Sequence, residues 1–238
     1  MSSAVVESSP VGMDCSAYAQ GLYIDGKWVP GGGITVIDPS TGNSIAEVAD
    51  ATVEDARAAV DAAARAAAGW RATPPRQRAG ILIKCFELMM QRQEELAYLI
   101  ALENGKSLVD ARGEVAYAAE FFRWYAEEGV RISGEFMTAP AGGNRIIVDY
   151  EPIGIAVLIT PWNFPAAMAT RKIAPALAAG CTVVLKPASE TPLTMIALFS
   201  LMDKHTDIPD GMVNLVMGKA SVIGKVLCES PDVPMLSF

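Results

Sequence analysis

The chain has 238 residues, of which 51% are hydrophobic and 19% charged, as is typical of a soluble globular protein with one large domain or a domain with a small appendage. Its net charge of -8 comes without a basic cluster, which argues against nucleic acid or an anionic membrane surface as a partner. No apolar run is long enough to span a bilayer, and the absence of Lys and Arg from residues 1–20 argues against a signal or transit peptide.

The residues 1–20 are expected to form a disordered tail. Glycine-rich turns then separate four short strand patterns, which we interpret as a small N-terminal β-hairpin unit. These strands are expected at residues 23–24, 27–29, 34–37 and 45–48.

Three helices are predicted next. The first begins at Thr52, which forms a capping-box pattern with Asp55. The second spans about 76–102, with apolar residues at helical spacing. Ser107 with Asp110 opens the third, which runs to about residue 131. The third contains an aromatic cluster that we expect to pack in the core or an interface rather than against a cofactor.

Residues 145–151 alternate as a strand would, and from residue 154 onward strand and helix patterns alternate. Strands are predicted at 155–160, 182–186, 213–217 and 235–238, with helices at 166–179, 193–204 and 221–229. The alternation predicts an α/β fold with a Rossmann-like parallel sheet and helices on both faces. Ligands of such sheets bind beyond the carboxyl ends of the strands. That rule points to residues 160–163, 186–189 and 217–220, and to a fourth position expected beyond Phe238, where the chain stops on a strand.

The cysteines and the single histidine offer little for metal or thiol chemistry. Cys15, Cys85, Cys181 and Cys228 form no CxxC pair and no metal-ligand spacing, and His205 stands alone. A zinc site or a Cys-His pair would need more partners than these. We therefore expect no metal site and a reducing, cytoplasmic location.

Phosphate-binding motifs are weak in this chain. The fingerprint GxGxxG is absent, and residues 105–107 match only the end of a phosphate-binding loop, because Ile100 occupies the place of its first glycine. We interpret that match as chance.

The segment TPWNFP at residues 160–165 is more informative. Pro161 restrains Thr160 to an extended backbone, and Pro165 can begin the next helix, so that Asn163 is held at the mouth of the sheet. By itself, the pattern fits a rigid turn and a functional segment equally well.

A second segment, KPAS at residues 186–189, follows the next strand. A lysine at the end of a buried strand must leave the core, and Lys186 does so where a cofactor would lie, although a solvated lysine is the alternative. The occurrence of both segments at neighbouring strand ends favours a cofactor site.

From about Gly21 to its last residue, the chain resembles the aldehyde dehydrogenase superfamily. The resemblance rests on residues 38–42, 160–165, 178–181 and 186–189. Residues 121–128 and 162–172 are similar to the succinate-semialdehyde dehydrogenase subfamily of NADP type. The resemblance implies hairpins and helices over 21–143, the start of an oligomerisation arm at 144–151, and a truncated Rossmann-like NAD(P)-binding portion at 152–238.

The resemblance also implies roles for individual residues. Asn163 would donate its amide to the aldehyde oxygen, which becomes an oxyanion when a cysteine thiolate attacks. Lys186 would bind the adenosine ribose, and Ser189, where NAD-using relatives often carry glutamate, would leave room for a 2′-phosphate. NADP is therefore expected to be preferred, with NAD possible. Arg171, about two helical turns after Asn163, would bind the distal carboxylate of succinate semialdehyde, unless it is an ordinary surface arginine.

Cofactor contacts are implied over both strand-end segments and around a later helix. Gly218 and Gly224 match the family's glycines beside the adenine and pyrophosphate, although Ser221 stands where close relatives often have glycine. The implied cofactor-binding residues are Ile159, Thr160, Pro161, Trp162, Lys186, Pro187, Ala188, Ser189, Gly218 and Gly224.

The family's nucleophilic cysteine and general-base glutamate belong to segments beyond Phe238. We therefore expect the C-terminal catalytic domain to be absent and the chain alone to be inactive. The family forms homo-oligomers, but the arm is expected to be incomplete here. A hypothesis of a different class is a non-catalytic fragment that binds nucleotide or pairs with another subunit.

Overall fold

The computed structural model describes residues 21–238, so the tail predicted at 1–20 lies outside the described part. Its strands are β1 Leu22–Ile24, β2 Lys27–Val29, β3 Gly33–Ile37, β4 Ser44–Ala49, β5 Glu135–Thr138, β6 Arg145–Val148, β7 Ile155–Ile159, β8 Thr182–Lys186, β9 Val213–Leu215 and β10 Met235–Ser237. Its helices are α1 Val53–Ala72, α2 Pro75–Gln91, α3 Gln93–Asn104, α4 Leu108–Gly129, α5 Ala167–Ala179, α6 Leu193–His205 and α7 Lys225–Glu229, with a π-helical turn at Ala220–Gly224.

A six-stranded sheet in the order β10-β7-β8-β9-β1-β2 organises the chain. The four strands β10, β7, β8 and β9 run parallel, as the alternating pattern predicts. Right-handed crossovers place α5 and α6 on one face, because β7, β8 and β9 advance in one direction. The chain then returns through α7 to β10 beside β7, which places α7 on the other face with α1. The predicted α/β fold with helices on both faces is confirmed, and its topological switch point lies between β7 and β10.

The core lies on both faces of this sheet. All five residues of β8 are buried, as expected for a parallel strand that is covered on each side. Alanines of α1 pack closely over one face, and the larger side chains of α5 and α6 fill the other. The strand ends are therefore anchored in a densely packed core, which fixes the loops that follow them.

The N-terminal hairpins are less separate than the sequence pattern suggests. Strand β1 pairs antiparallel with β9, so the β1–β2 hairpin extends the central sheet, whereas β3 and β4 form their own two-stranded sheet. Tyr23 and Trp28 both donate hydrogen bonds to Asp203 on α6, at 2.9 and 3.1 Å. These contacts join the hairpin to the sheet, and they connect residues about 180 positions apart, beyond the reach of local patterns.

The single helix predicted at 76–102 is wrong, because the structure divides it at Arg92. That residue leaves helical geometry, with φ -107° and ψ 23°, so α2 ends at Gln91 and α3 begins at Gln93. The predicted caps are confirmed: Thr52 and Asp55 form the capping box of α1, and the Ser107 side chain accepts from the Asp110 amide.

The strand predicted after residue 144 is confirmed as β6, and it pairs with β5, which the sequence pattern did not indicate. This hairpin exposes large apolar side chains, with Phe136 at 68% and Ile147 at 75% exposure. Its role as an oligomerisation arm stays a prediction. None of the helices within residues 21–238 is both long and apolar enough to cross a membrane.

Candidate functional site

The two strand-end segments singled out by the sequence lie side by side. Ile159 at the end of β7 is paired with Lys186 at the end of β8, and the Thr160 amide donates to the Lys186 carbonyl at 3.1 Å. The Ile159 carbonyl accepts from the half-buried Lys172 side chain at 3.0 Å. The segments therefore meet next to the switch point of the sheet, where this class of fold binds ligands.

Lys186 is a buried cation with unused hydrogen-bonding capacity. Its side chain is 5% exposed, and within residues 21–238 its ammonium donates one hydrogen bond, to the Pro187 carbonyl at 3.3 Å. Burial lowers the pKa of Lys186, and the charge of Glu190 opposes that effect. An ammonium carries three donors, so this group can still bind ligand oxygens. The buried Thr160 hydroxyl also has no hydrogen-bond partner among the described residues, but the same holds for the Thr170 and Thr182 hydroxyls, so this feature does not by itself mark a ligand site.

A cavity of about 470 Å³ lies beside these strand ends. Trp162 and Ser189, both predicted cofactor contacts, line it together with Glu190. The rest of its wall comes from the end of α3 and from the β3–β4 hairpin, including Ile34 and Pro39. Its volume lies in the range of small-molecule sites. Lys186 does not line this cavity, but it ends the strand whose following loop carries Ser189. The half-buried Ser189 hydroxyl and the buried Lys186 ammonium can bind the ribose and phosphate oxygens of a nucleotide, so these residues suit an NAD(P)-type cofactor.

The other predicted contacts differ in how they relate to this cavity. Pro187 and Ala188 continue the loop after β8, and Pro161 is an exposed residue of the loop after β7. Gly218 follows β9 and is packed so tightly that an added Cβ would lie 3.0 Å from Ile223 and 3.3 Å from Asp50. Gly224 lies in the π-helical turn with no such constraint. The two glycines do not line the cavity that holds Trp162 and Ser189.

Asn163 sits on an exposed loop between β7 and α5. Its side-chain amide makes no hydrogen bond to the described part of the chain, whereas its carbonyl accepts from the Lys106 ammonium at 3.0 Å. The preceding carbonyl, that of Trp162, accepts from the Asn104 side chain at 2.9 Å. The backbone around Asn163 is therefore held, while its amide is available to a ligand.

Two buried carboxylates support this region, and sequence reasoning missed both. Glu103 accepts from the Leu193 and Thr194 amides at 2.6 and 3.0 Å and from the Thr194 hydroxyl, at the beginning of α6. Glu114 accepts from the Ala166 and Ala167 amides at 2.9 and 3.3 Å, at the beginning of α5. Neither helix has a side-chain cap of its own. Burial raises the pKa of Glu103 to about 7, even though its hydrogen bonds act in the opposite direction.

A sequence signal for these carboxylates exists but does not identify their partners. Glu114 occupies the apolar face of α4 between the buried Ala111 and Val115, where a carboxylate needs hydrogen-bond donors. Lys106, in the segment interpreted as a chance match, forms an ion pair with Glu114 and lies 4.2 Å from the centre of the Phe164 ring. Nothing local in the sequence indicates that these groups meet.

Arg171 is exposed on α5 and takes part in no ion pair within residues 21–238. Its guanidinium lies 5.6 Å from the centre of the Phe121 ring on α4 and 3.6 Å from the Met168 sulfur. One of its five donors is directed at the thioether, and the others make no hydrogen bond within the described residues, so they can bind an anion.

Metal and thiol chemistry find no support in the part of the chain that the structure covers. No group of three or more His, Cys, Asp or Glu side chains there is arranged to hold a metal ion. Cys85 and Cys181 are buried and Cys228 is exposed on α7. Burial raises the pKa of the Cys85 thiol to about 12, so it is not a thiolate nucleophile at neutral pH.

Comparisons with known proteins bear on these observations. The model of the aldehyde dehydrogenase family matches residues 28–238. The NADP(+) succinate-semialdehyde dehydrogenase of Escherichia coli (strain K12) is 46% identical over 228 residues, which cover 94% of this chain and 47% of that protein. The glutarate-semialdehyde dehydrogenase of Pseudomonas aeruginosa is 44% identical with the same coverage. A crystal structure of an E. coli NADP-dependent enzyme superposes with a TM-score of 0.89 at 46% identity, over 92% of this chain and 46% of that chain. The chain thus spans about half the length of the relatives it matches.

Proposed function

Because the chain belongs to the aldehyde dehydrogenase family, we propose that it forms the cofactor-binding half of an enzyme that oxidises an aldehyde to a carboxylic acid with NADP. The observation that carries this proposal is the buried Lys186 ammonium at the carboxyl end of β8, which donates one long hydrogen bond within the described residues. A bound NAD(P) would supply the acceptor for the hydride that the substrate loses. The residues of this chain bind and orient the reactants.

The preference for NADP over NAD is proposed from Ser189. Ser189 lines the cavity, and a serine leaves both space and a hydroxyl donor for a 2′-phosphate. A carboxylate at this position would accept from ribose hydroxyls but repel the phosphate. Lys186, at the base of the same loop, adds positive charge that favours the phosphate.

The proposed substrate is a semialdehyde with an anionic group at its far end, of which succinate semialdehyde is the leading candidate. Arg171 has free donors on the helix that follows the Asn163 loop. The printed names of the E. coli and P. aeruginosa relatives both denote semialdehydes of dicarboxylic acids. A guanidinium binds such a carboxylate with two parallel charge-assisted hydrogen bonds.

In this proposal, Asn163 stabilises the oxyanion. Its amide is unpaired within the described residues and can donate to an aldehyde oxygen as negative charge develops there. None of the cysteines within residues 21–238 is proposed as the attacking thiolate, because Cys85 and Cys181 are buried and Cys228 lies on α7 rather than on an element next to Asn163 in the chain. The chain by itself should bind nucleotide without turnover.

Two measurements test the proposal. Calorimetric titration of the purified chain should show NADP binding that Lys186→Met weakens at least tenfold, as expected for the loss of a charge-assisted bond, while Lys204→Met on the exposed end of α6 leaves it unchanged. A hybrid enzyme, in which residues 21–238 replace the matching part of the E. coli relative, should oxidise succinate semialdehyde. Nucleotide binding together with a folded but inactive hybrid would instead support a non-catalytic, nucleotide-binding role.

A further inference from the structure

Lys106 lies where three interactions converge on the Asn163 loop. Its ammonium forms an ion pair with Glu114, donates to the Asn163 carbonyl at 3.0 Å, and lies 4.2 Å from the centre of the Phe164 ring. The side chains of Lys106 and Glu114 are only 14% and 1% exposed. Charged pairs this well buried are weakly screened by solvent, and breaking one partner away leaves the other uncompensated.

Glu114 connects the same ion pair to the helix that follows the loop. One carboxylate oxygen accepts from the amides of Ala166 and Ala167, and the other accepts from Lys106. Helix α5 has no N-cap side chain of its own, so Glu114 satisfies its first amides from α4. A single carboxylate therefore holds both the loop and the beginning of α5.

A second hydrogen bond to the Asn163 loop comes from the residue on the other side of Gly105. Asn104 donates to the carbonyl of Trp162, one residue before the carbonyl that Lys106 holds. Gly105 has φ +80°, a left-handed conformation, and an added Cβ would lie 2.8 Å from the Pro39 ring. The turn between α3 and α4 thus presents two donors to two consecutive carbonyls.

We propose that Lys106 and Glu114 are positioning residues that orient the Asn163 amide for the reaction. The inference rests on the proposed role of Asn163 as the oxyanion donor. Because the Asn163 side chain has no partner of its own in the described chain, its direction depends on its backbone. Lys106 holds that backbone at the carbonyl, and Glu114 fixes Lys106. An oxyanion donor stabilises the transition state only if it is already held in place.

The test uses the full chain labelled with ¹⁵N, with the Asn163 side-chain amide signal assigned by its loss in Asn163→Asp. In Lys106→Met, we expect the Asn163 amide signal to shift or broaden and backbone exchange at Asn163 and Phe164 to rise roughly tenfold, as for the loss of a charged hydrogen bond. Exchange in β8 should change less than twofold. Glu114→Gln, which can still accept from the α5 amides, should loosen the loop in the same direction.

Rescue and control variants separate positioning from general stability. Lys106→Arg should restore the Asn163 signal, and Lys84→Met, which removes a surface lysine from α2, should leave it unchanged. An unaltered Asn163 signal in Lys106→Met, or an equal rise of exchange in β8, would overturn the inference. Titration of the same samples with NADP keeps the two proposals apart, since a loosened loop in a chain that never binds NADP would refute the proposed function alone.

Discussion

Glu103 should make the stability of this protein fall as the pH rises from acidic to neutral values. Its carboxyl is buried at the beginning of α6, and burial raises its pKa from 4.5 to about 7. A raised carboxyl pKa means that the folded state holds the proton more tightly than the unfolded state. The contribution of the protonated Glu103 carboxyl to the free energy of unfolding is therefore fully present below pH 4.5. It is lost as the pH rises to about 7. With about 1.4 kcal/mol for each pH unit, the loss between pH 5 and pH 8 is about 2–3 kcal/mol.

Urea unfolding at pH 5, 6.5 and 8 measures this effect, with Glu103→Gln as the comparison. The glutamine cannot ionise. Its NH2 group cannot accept a hydrogen bond, whereas both oxygens of Glu103 accept from backbone amides, so the variant should be less stable at pH 5. The deficit should shrink by about 2–3 kcal/mol by pH 8, because only the wild-type chain loses the protonated carboxyl. Parallel pH profiles for the two chains would refute the reasoning about Glu103.

Three further substitutions probe the cofactor, the substrate and the fold. Ser189→Glu should weaken NADP binding at least tenfold and leave NAD binding intact, because the added carboxylate repels the 2′-phosphate. Equal losses of affinity for the two nucleotides, measured by calorimetry, would contradict the cofactor proposal. In the hybrid enzyme, Arg171→Ala should raise the KM for succinate semialdehyde about tenfold more than the KM for butanal, with Arg123→Ala as the control substitution. Equal effects of Arg171→Ala on the two KM values would refute the substrate proposal. Gly105→Ala should lower the free energy of unfolding in urea by about 1–2 kcal/mol, because of the left-handed φ of Gly105 and the nearby Pro39 ring. Gly80→Ala in α2 should instead raise it by up to about 1 kcal/mol. Similar values for both would contradict the strain argument.

The candidate site shows where sequence reasoning succeeds. The proline-bounded segment around Asn163 and the lysine that ends β8 were predicted to lie at neighbouring strand ends, and the pairing of Ile159 with Lys186 places them there. The prediction worked because alternating strands and helices allow few topologies, and all of them gather the strand ends at one edge. The roles of these residues remain proposals.

The supporting residues show where it stops. Lys106 belongs to a motif that the sequence identifies only as a chance match, and no pattern singles out Glu103 or Glu114. The structure shows that these three side chains hold the loops and helices that carry the site. Their partners are between 8 and 91 positions away in the chain, so the sequence pattern around each residue does not connect them. The lack of N-cap side chains at α5 and α6 indicates only that their first backbone amides need hydrogen-bond acceptors. It does not indicate which residues supply those acceptors.

The sequence by itself determined the α/β class, the buried parallel strands and the caps at Thr52 and Ser107, because hydrophobic periodicity and capping act within a few residues. Only the tertiary structure decided that β1 joins the central sheet, that the helix breaks at Arg92, and that buried carboxylates cap α5 and α6. Those outcomes depend on which distant donors and apolar surfaces meet once the chain is packed. Burial then makes an unpaired charge or amide costly, so the packed fold selects partners that local sequence cannot specify.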